Sequence, residues 1–96
     1  MIEPTPSSGN VFQDLGFSRE EAANLKVRSA LMGSIRRIID ERGLKQAQAA
    51  ELFGVTQPRV SDLTRGKIEL FSIDALINML AHAGHDVEVS VEPRAA

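Results

Sequence analysis

The sequence has no cysteine, tryptophan or tyrosine, and four phenylalanines are its only aromatic residues. The lack of cysteine excludes a disulfide framework and a metal site built from thiolates. Leucine, isoleucine, valine and alanine must therefore form most of the core. A chain of 96 residues has room for one small domain.

Long hydrophobic runs are also missing. No apolar stretch approaches the roughly 20 residues that cross a bilayer. Glu3, Pro4 and Pro6 stand where a secretory signal would have basic and apolar residues. We therefore expect a cytoplasmic protein without a membrane partner. The sequence suggests no nucleophile with a neighbouring base, no paired carboxylates and no phosphate-binding glycine loop, so we do not expect an enzyme.

His82 and His85 have the spacing of metal ligands on a helix. Gly84 ends the predicted helix between them, and the sequence suggests no carboxylate or thiolate as a third ligand. We therefore expect neither a metal nor another cofactor.

The net charge of −2 is unevenly distributed. Residues 26–67 contain nine basic and four acidic side chains, which gives +5, and the flanking residues together carry −7. A face with a local positive field can bind phosphate whatever the total charge. A solvated surface of mixed charge is the simpler explanation of the composition alone, and we interpret Arg36, Arg37 and Arg42 in that way.

The chain divides into three predicted parts: an irregular arm and apolar segment at residues 1–17, a helical domain at residues 18–84, and a strand with a tail at residues 85–96. Ser18 and Glu21 match a capping box, which predicts the start of a helix. Apolar residues continue at helical spacing as far as Gly43. Because Gly33 lies inside this span, residues 18–42 can form one helix or two.

Two short helices follow, separated by a tight turn. The first covers residues 45–53 and ends at Gly54. Thr56 can cap the second helix, and Pro58 falls at its second position, where the missing N–H would have no intrahelical partner. Gly66 closes the second helix. Two short helices joined in this way form the helix-turn-helix arrangement.

The chain ends with a change of period. Residues 72–83 predict another helix, and residues 86–92 predict a β-strand because Val87, Val89 and Val91 alternate with polar residues. The expected fold is mainly all-α, a bundle of about five helices with a C-terminal β-strand.

A lone strand leaves its backbone groups unpaired. Val11 and Phe12 offer too short an internal partner. The same strand from a second copy can pair with it about a two-fold axis. We therefore predict a homodimer with Val87, Val89 and Val91 at its interface.

The second short helix has dimensions that suit the major groove of DNA. A helix is about 10–12 Å across with its side chains, and the groove of B-form DNA is about 12 Å wide. Side chains of the first turn then meet base edges. Gln57 can pair with adenine, and Arg59 can reach O6 and N7 of guanine. Pro58 and Thr56 can contact a thymine methyl group or a phosphate.

Further polar residues complete the predicted site. Five are expected to contact the DNA backbone or to anchor the helices on it: Lys45, Gln46, Thr56, Arg65 and Lys67. Gln46 can bind a phosphate or the side chain of Gln57. Ser61 can touch the DNA backbone or a base. Asp62 can accept a hydrogen bond from cytosine N4 or hold Arg59.

Residues 44–67, LKQAQAAELFGVTQPRVSDLTRGK, resemble the helix-turn-helix of the lambda-repressor-like or XRE-type transcriptional regulators. A glutamine near the start of each helix and the Gly-Val-Thr turn match the family. Lys45, Ala49 and Thr64 depart from it, and Lys45 removes the usual cap of the first helix. The resemblance extends over residues 35–84 and implies a sequence-specific regulator that binds double-stranded DNA.

A narrower resemblance is to the HigA-type antitoxins of toxin–antitoxin pairs. It is carried by residues 59–89, RVSDLTRGKIELFSIDALINMLAHAGHDVEV, and by residues 8–18, SGNVFQDLGFS. The resemblance implies a dimeric repressor that autoregulates its own operon at a palindromic operator and binds a small basic toxin, RelE/HigB-like in kind. The alternative is a protein-interaction module whose main role is to bind and neutralise the toxin.

Overall fold

A computed structural model describes residues 10–94 of the chain. Within this range, five α-helices and one short 3-10 turn follow one another. They are α1 (Val11–Asp14), α2 (Arg19–Arg42), α3 (Gln46–Phe53), α4 (Gln57–Thr64), the 3-10 turn η1 (Ile68–Leu70) and α5 (Ile73–His82). The prediction of a mainly helical fold with about five helices is confirmed.

A one-turn helix, α1, lies in the predicted apolar segment that follows the N-terminal arm. Oδ1 of Asn10 accepts a hydrogen bond from the backbone N–H of Phe12 at 3.0 Å, and its Nδ2 donates to the carbonyl oxygen of Ala22 at 2.8 Å. Asn10 therefore caps α1 and attaches it to α2. Residues 1–9 of the predicted irregular arm lie outside the described residues.

Residues 18–42, predicted as one helix or two, contain the single continuous helix α2. Oγ of Ser18 accepts from the backbone N–H of Glu21 at 3.1 Å, which confirms the predicted cap. Gly33 lies inside the helix without breaking it. Gly43 ends the helix with a φ of 60°, in the left-handed region that favours glycine.

One hydrophobic core joins the four longer helices. Its largest fully buried side chains are Phe53, Phe71, Ile35, Leu63, Leu76 and Val60. Val60 and Leu63 both come from α4, so this helix is anchored along one side. Gln57 and Pro58, at the start of α4, are left exposed to solvent.

Residues 86–92 form no strand, so the predicted β-strand is wrong for the single chain. Val87 packs against the core, whereas Val89 and Val91 are 78% and 90% exposed. The physical reason is that a strand needs a partner for its backbone groups. Val11 and Phe12, the short internal partner that the sequence offers, belong instead to helix α1. The three valines therefore do not share one buried face.

Candidate DNA interface

The turn between α3 and α4 is held by α5. Gly54 follows α3 with a φ of 68°. A Cβ at Gly54 would lie 2.8 Å from Cδ2 of His82, so the imidazole ring occupies the space that any other residue would need. Nδ1 of His82 lies 2.9 Å from the carbonyl oxygen of Leu52. His82 therefore fixes the turn against α5, a role that the sequence analysis did not identify.

Thr56 begins α4 as predicted. Its Oγ1 accepts from the backbone N–H of Arg59 at 3.4 Å, and Pro58 lies within the first two helical positions. On the core side, Val60 and Leu63 are 2% and 0% exposed. The start of α4 is thus fixed by a side-chain cap and by core packing.

Arg59 does not extend into solvent. Its Nη1 donates to the carbonyl oxygen of Leu70 at 2.8 Å, and its Cζ lies 4.1 Å from the centroid of the Phe71 ring. The second distance is that of a cation–π contact. The guanidinium that was expected to reach a guanine is therefore engaged within the chain.

Asp62 forms an ion pair with Lys67 and not with Arg59. Nζ of Lys67 lies 3.6 Å from Oδ1 of Asp62, and the backbone N–H of Lys67 donates to the Asp62 carbonyl oxygen at 3.1 Å. The expectation that Asp62 holds Arg59 is wrong, because Leu70 and Phe71 take the guanidinium.

Lys45 precedes α3 without capping it through its side chain. Instead, Oε1 of Gln48 accepts from the backbone N–H of Lys45 at 2.9 Å, which is the returning half of a capping box. A glutamine three residues after the N-cap is a sequence signal for this contact, and the sequence analysis missed it. Among residues 10–94, no hydrogen bond joins Gln46 to Gln57.

The predicted contact residues fall into two groups by exposure. Those exposed to solvent are Lys45, Gln46, Thr56, Gln57, Pro58 and Arg65. Those partly buried are Arg59, Ser61, Asp62 and Lys67. The first group can meet a duplex without rearrangement, whereas three members of the second already have partners within the chain.

A second arginine holds the segment that follows α4. Nη1 of Arg28 donates to the carbonyl oxygens of Ile68 at 3.2 Å and Phe71 at 3.5 Å, and its Nε donates to Oδ1 of Asn24 at 2.6 Å. Arg28 belongs to the basic region of the sequence, but its guanidinium supports the fold. Sequence reasoning missed this role because Ile68 and Phe71 are 40 and 43 residues away along the chain.

Two further tests concern the described residues only. Within residues 10–94, no helix is both long and apolar enough to cross a membrane. The same residues contain no cluster of three His, Cys, Asp or Glu side chains that could hold a metal ion.

Comparison with known proteins identifies the family. A family model described as a helix-turn-helix domain matches residues 11–92. An uncharacterized HTH-type transcriptional regulator of Haemophilus influenzae is 27% identical over 88 residues, which cover 92% of this chain and 89% of the relative. A solved structure described as an XRE family transcriptional regulator is similar with a TM-score of 0.71 and 34% identity, covering 79% of this chain and 90% of that chain. The chain therefore belongs to the helix-turn-helix family, as a transcriptional regulator of the XRE type.

Proposed function

We propose that the chain is a sequence-specific repressor that binds double-stranded DNA through the first turn of α4. The division of α4 into two sides supports this proposal most directly. Val60 and Leu63 are 2% and 0% exposed on the core side. At the start of the helix, Thr56, Gln57 and Pro58 are exposed. A helix anchored in this way can enter the major groove with its first turn leading.

Each side chain at this end has a contact that its chemistry favours. Gln57 can donate to N7 and accept from N6 of adenine through its single amide group. Pro58 and Thr56 can contact a thymine methyl group or a phosphate. Ser61 lies partly buried on the same helix and can touch the DNA backbone or a base.

Asp62 needs a neighbouring cation if it is to approach DNA. Lys67 supplies one at 3.6 Å, which offsets part of the repulsion between the carboxylate and the phosphates. In this arrangement Asp62 can accept a hydrogen bond from cytosine N4.

Phosphate contacts are assigned to basic and polar residues at the borders of the two helices. Arg65 is exposed beyond α4, and Lys45 and Gln46 are exposed at the start of α3. Such contacts fix the position of a protein on DNA without specifying sequence. The charge of +5 over residues 26–67 supports binding to a phosphate backbone.

Selection from a pool of random duplexes, at a defined salt concentration, tests the proposal. We expect the protein to enrich a common sequence motif over successive rounds. A pool that stays random, with binding that depends only on salt, would contradict sequence-specific recognition.

We further propose that the repressor acts as a homodimer on a palindromic operator. Val89 and Val91 are 78% and 90% exposed in the single chain, which leaves them available for a second copy. Pairing of residues 86–92 about a two-fold axis would form the strand that one chain cannot form alone. Two recognition helices about 34–36 Å apart would then contact successive turns of the duplex. Val87 already packs within the chain, so it would support this interface from beneath.

A second candidate function is that of an antitoxin that autoregulates its operon and neutralises a small basic toxin of the RelE/HigB-like kind. Asp86, Glu88 and Glu92 are exposed beside the two exposed valines. This acidic and apolar segment is chemically suited to a basic partner. Neutralisation of the toxin would be the main role if DNA binding proves secondary. Either role would place the protein in the cytoplasm.

Co-expression with the product of the adjacent gene, followed by size-exclusion chromatography, tests the antitoxin role. We expect the two proteins to elute together, and the complex still to bind operator DNA. Separate elution at micromolar concentration would contradict the role and leave a plain repressor.

A further inference from the structure

The side chain of Arg59 connects the recognition helix to the segment that leads into α5. Arg59 is the third residue of α4, directly after the exposed Gln57 and Pro58. Its guanidinium donates to the carbonyl oxygen of Leu70 and lies over the ring of Phe71, at 2.8 Å and 4.1 Å respectively. Both contacts cross from α4 to the end of η1, to its last residue and to the residue that follows it.

The segment that receives this contact is itself held in place by other contacts. Phe71 is 1% exposed and belongs to the hydrophobic core. Arg28 of α2 donates to the carbonyl oxygens of Ile68 and Phe71. Residues 68–71 are therefore held by α2 as well as by the core, and Arg59 is attached to a fixed point.

Reading a guanine would require Arg59 to abandon both contacts. A bidentate pair with O6 and N7 needs the guanidinium fork to be extended into the groove. In the described conformation, one N–H already donates to the carbonyl oxygen of Leu70, and Cζ lies over the ring of Phe71. The base pair would have to replace a charge-assisted hydrogen bond and a cation–π contact before adding any net affinity.

We propose that Arg59 is a positioning residue, which sets the direction in which the first turn of α4 presents Gln57 and Pro58 to DNA and does not read a base itself. This inference rests on the proposed DNA-binding function. It replaces the expectation that Arg59 pairs with guanine. The core faces of α4 pack against α2 and α3, and Arg59 adds a tie to residues 68–71 at the end of the helix that meets DNA.

Three variants separate positioning from base reading. Arg59→Ala removes both contacts, Arg59→Lys keeps the charge but cannot make both contacts at once, and Gln57→Ala removes a proposed base contact from the same turn. Each variant is first shown to be folded by circular dichroism, and binding is measured at a temperature well below its unfolding transition. Affinity and base preference at each position are then determined by selection and titration.

For Arg59→Ala we expect the same preferred base at every position and an affinity for the selected site reduced about tenfold, which corresponds to about 1.4 kcal/mol. The affinity of Arg59→Lys should fall between those of Arg59→Ala and the unchanged protein. Gln57→Ala should instead weaken the preference at one position of each half-site. The contrast between neighbouring residues of one turn is the signature of positioning.

Two results would overturn the proposal. Loss of the preference for guanine at one position in Arg59→Ala, with other positions unchanged, would make Arg59 a base reader. Unchanged affinity of the folded Arg59→Ala protein, with only its unfolding temperature lowered, would limit Arg59 to stabilising the fold.

A partner-side variant provides a second, independent test. If the Phe71 ring carries part of the contact, Arg59→Ala should reduce DNA affinity less in a Phe71→Leu background than in the unchanged protein, because only the hydrogen bond to the Leu70 carbonyl oxygen is then left to lose. Equal losses in both backgrounds would contradict a role for the Phe71 ring in positioning. Failure of the proposed function itself is distinguishable, because the unchanged protein would then enrich no DNA sequence at all.

Discussion

Replacing Gly54 by alanine is predicted to destabilise the protein more than the same change at Gly43. The two glycines are matched, because each follows a helix and has a positive φ, 68° at Gly54 and 60° at Gly43. They differ in their surroundings. A Cβ at Gly43 would meet nothing within 4 Å, whereas a Cβ at Gly54 would lie 2.8 Å from the ring of His82.

The two contributions can be estimated separately. Left-handed backbone costs alanine about 1–2 kcal/mol, and displacing the exposed His82 ring breaks its hydrogen bond to Leu52, which adds about 0.5–1.5 kcal/mol. The free energy of unfolding should therefore fall by about 1–2 kcal/mol in Gly43→Ala and by about 1.5–3.5 kcal/mol in Gly54→Ala. Because domains are stable by about 5–15 kcal/mol in total, the difference is measurable.

Urea unfolding followed by circular dichroism provides the free energies. A third comparison introduces Gly54→Ala into a His82→Ala background, where the ring that causes the clash is absent. In the His82→Ala background, the free energy of unfolding lost through Gly54→Ala should drop to the value found for Gly43→Ala. Equal losses in Gly54→Ala and Gly43→Ala would refute the reasoning, as would an unchanged loss in the His82→Ala background.

Three further predictions concern other parts of the molecule. Arg65→Ala should weaken binding to all duplexes alike and reduce the salt slope of the binding constant by about 0.9, the value of one phosphate contact. Arg19→Ala, which removes the same charge outside the helix-turn-helix, should leave the slope unchanged. Equal slopes for the two variants would contradict the phosphate contact of Arg65. Val89→Pro should leave the single chain folded, because Val89 is 78% exposed, but should yield monomers in sedimentation analysis; a dimeric Val89→Pro protein would move the interface elsewhere. Asn10→Ala should lower the free energy of unfolding by about 1–2 kcal/mol, because it removes both a cap and a tether to α2. A loss no larger than that of Ser18→Ala, which removes a cap and a bond to Glu21 but no contact between helices, would contradict the tether.

The helices could be predicted because their signals are local. The caps predicted at Ser18 and Thr56 each accept a hydrogen bond from a backbone N–H three residues further on. Such contacts depend on residue type and spacing within one turn, which the sequence contains. The continuity of α2 through Gly33 could not be decided in this way, because one glycine in a helix costs only about 1 kcal/mol and tertiary packing outweighs it.

The C-terminal segment shows where a periodic pattern fails. Alternating valines over residues 86–92 predicted a strand, but alternation describes only a preference for two faces. A strand exists only when its backbone groups find a ladder partner. Within the described chain there is none for this segment, and Val87 packs inward while Val89 remains exposed.

The candidate site was predictable to different degrees at different residues. The exposure of Gln57 and Pro58 follows from the helix start at Thr56, which the sequence indicated. The contacts of Arg59 did not follow, since Leu70 is 11 residues further along the chain and meets Arg59 only through tertiary packing. The helical spacing of Asp62 suggested Arg59 as its partner, but the guanidinium of Arg59 lies over the buried ring of Phe71 instead.

The central proposal is that the exposed first turn of α4 reads DNA bases, and base preference in Gln57→Ala tests it most directly. Selected sequences from the unchanged protein and from Gln57→Ala should form the same two-fold symmetric motif, except at one position in each half-site. At that position the preference for adenine should be lost, at a cost of about 1–3 kcal/mol in binding free energy. An identical motif and identical affinity for both proteins would contradict base reading by this turn.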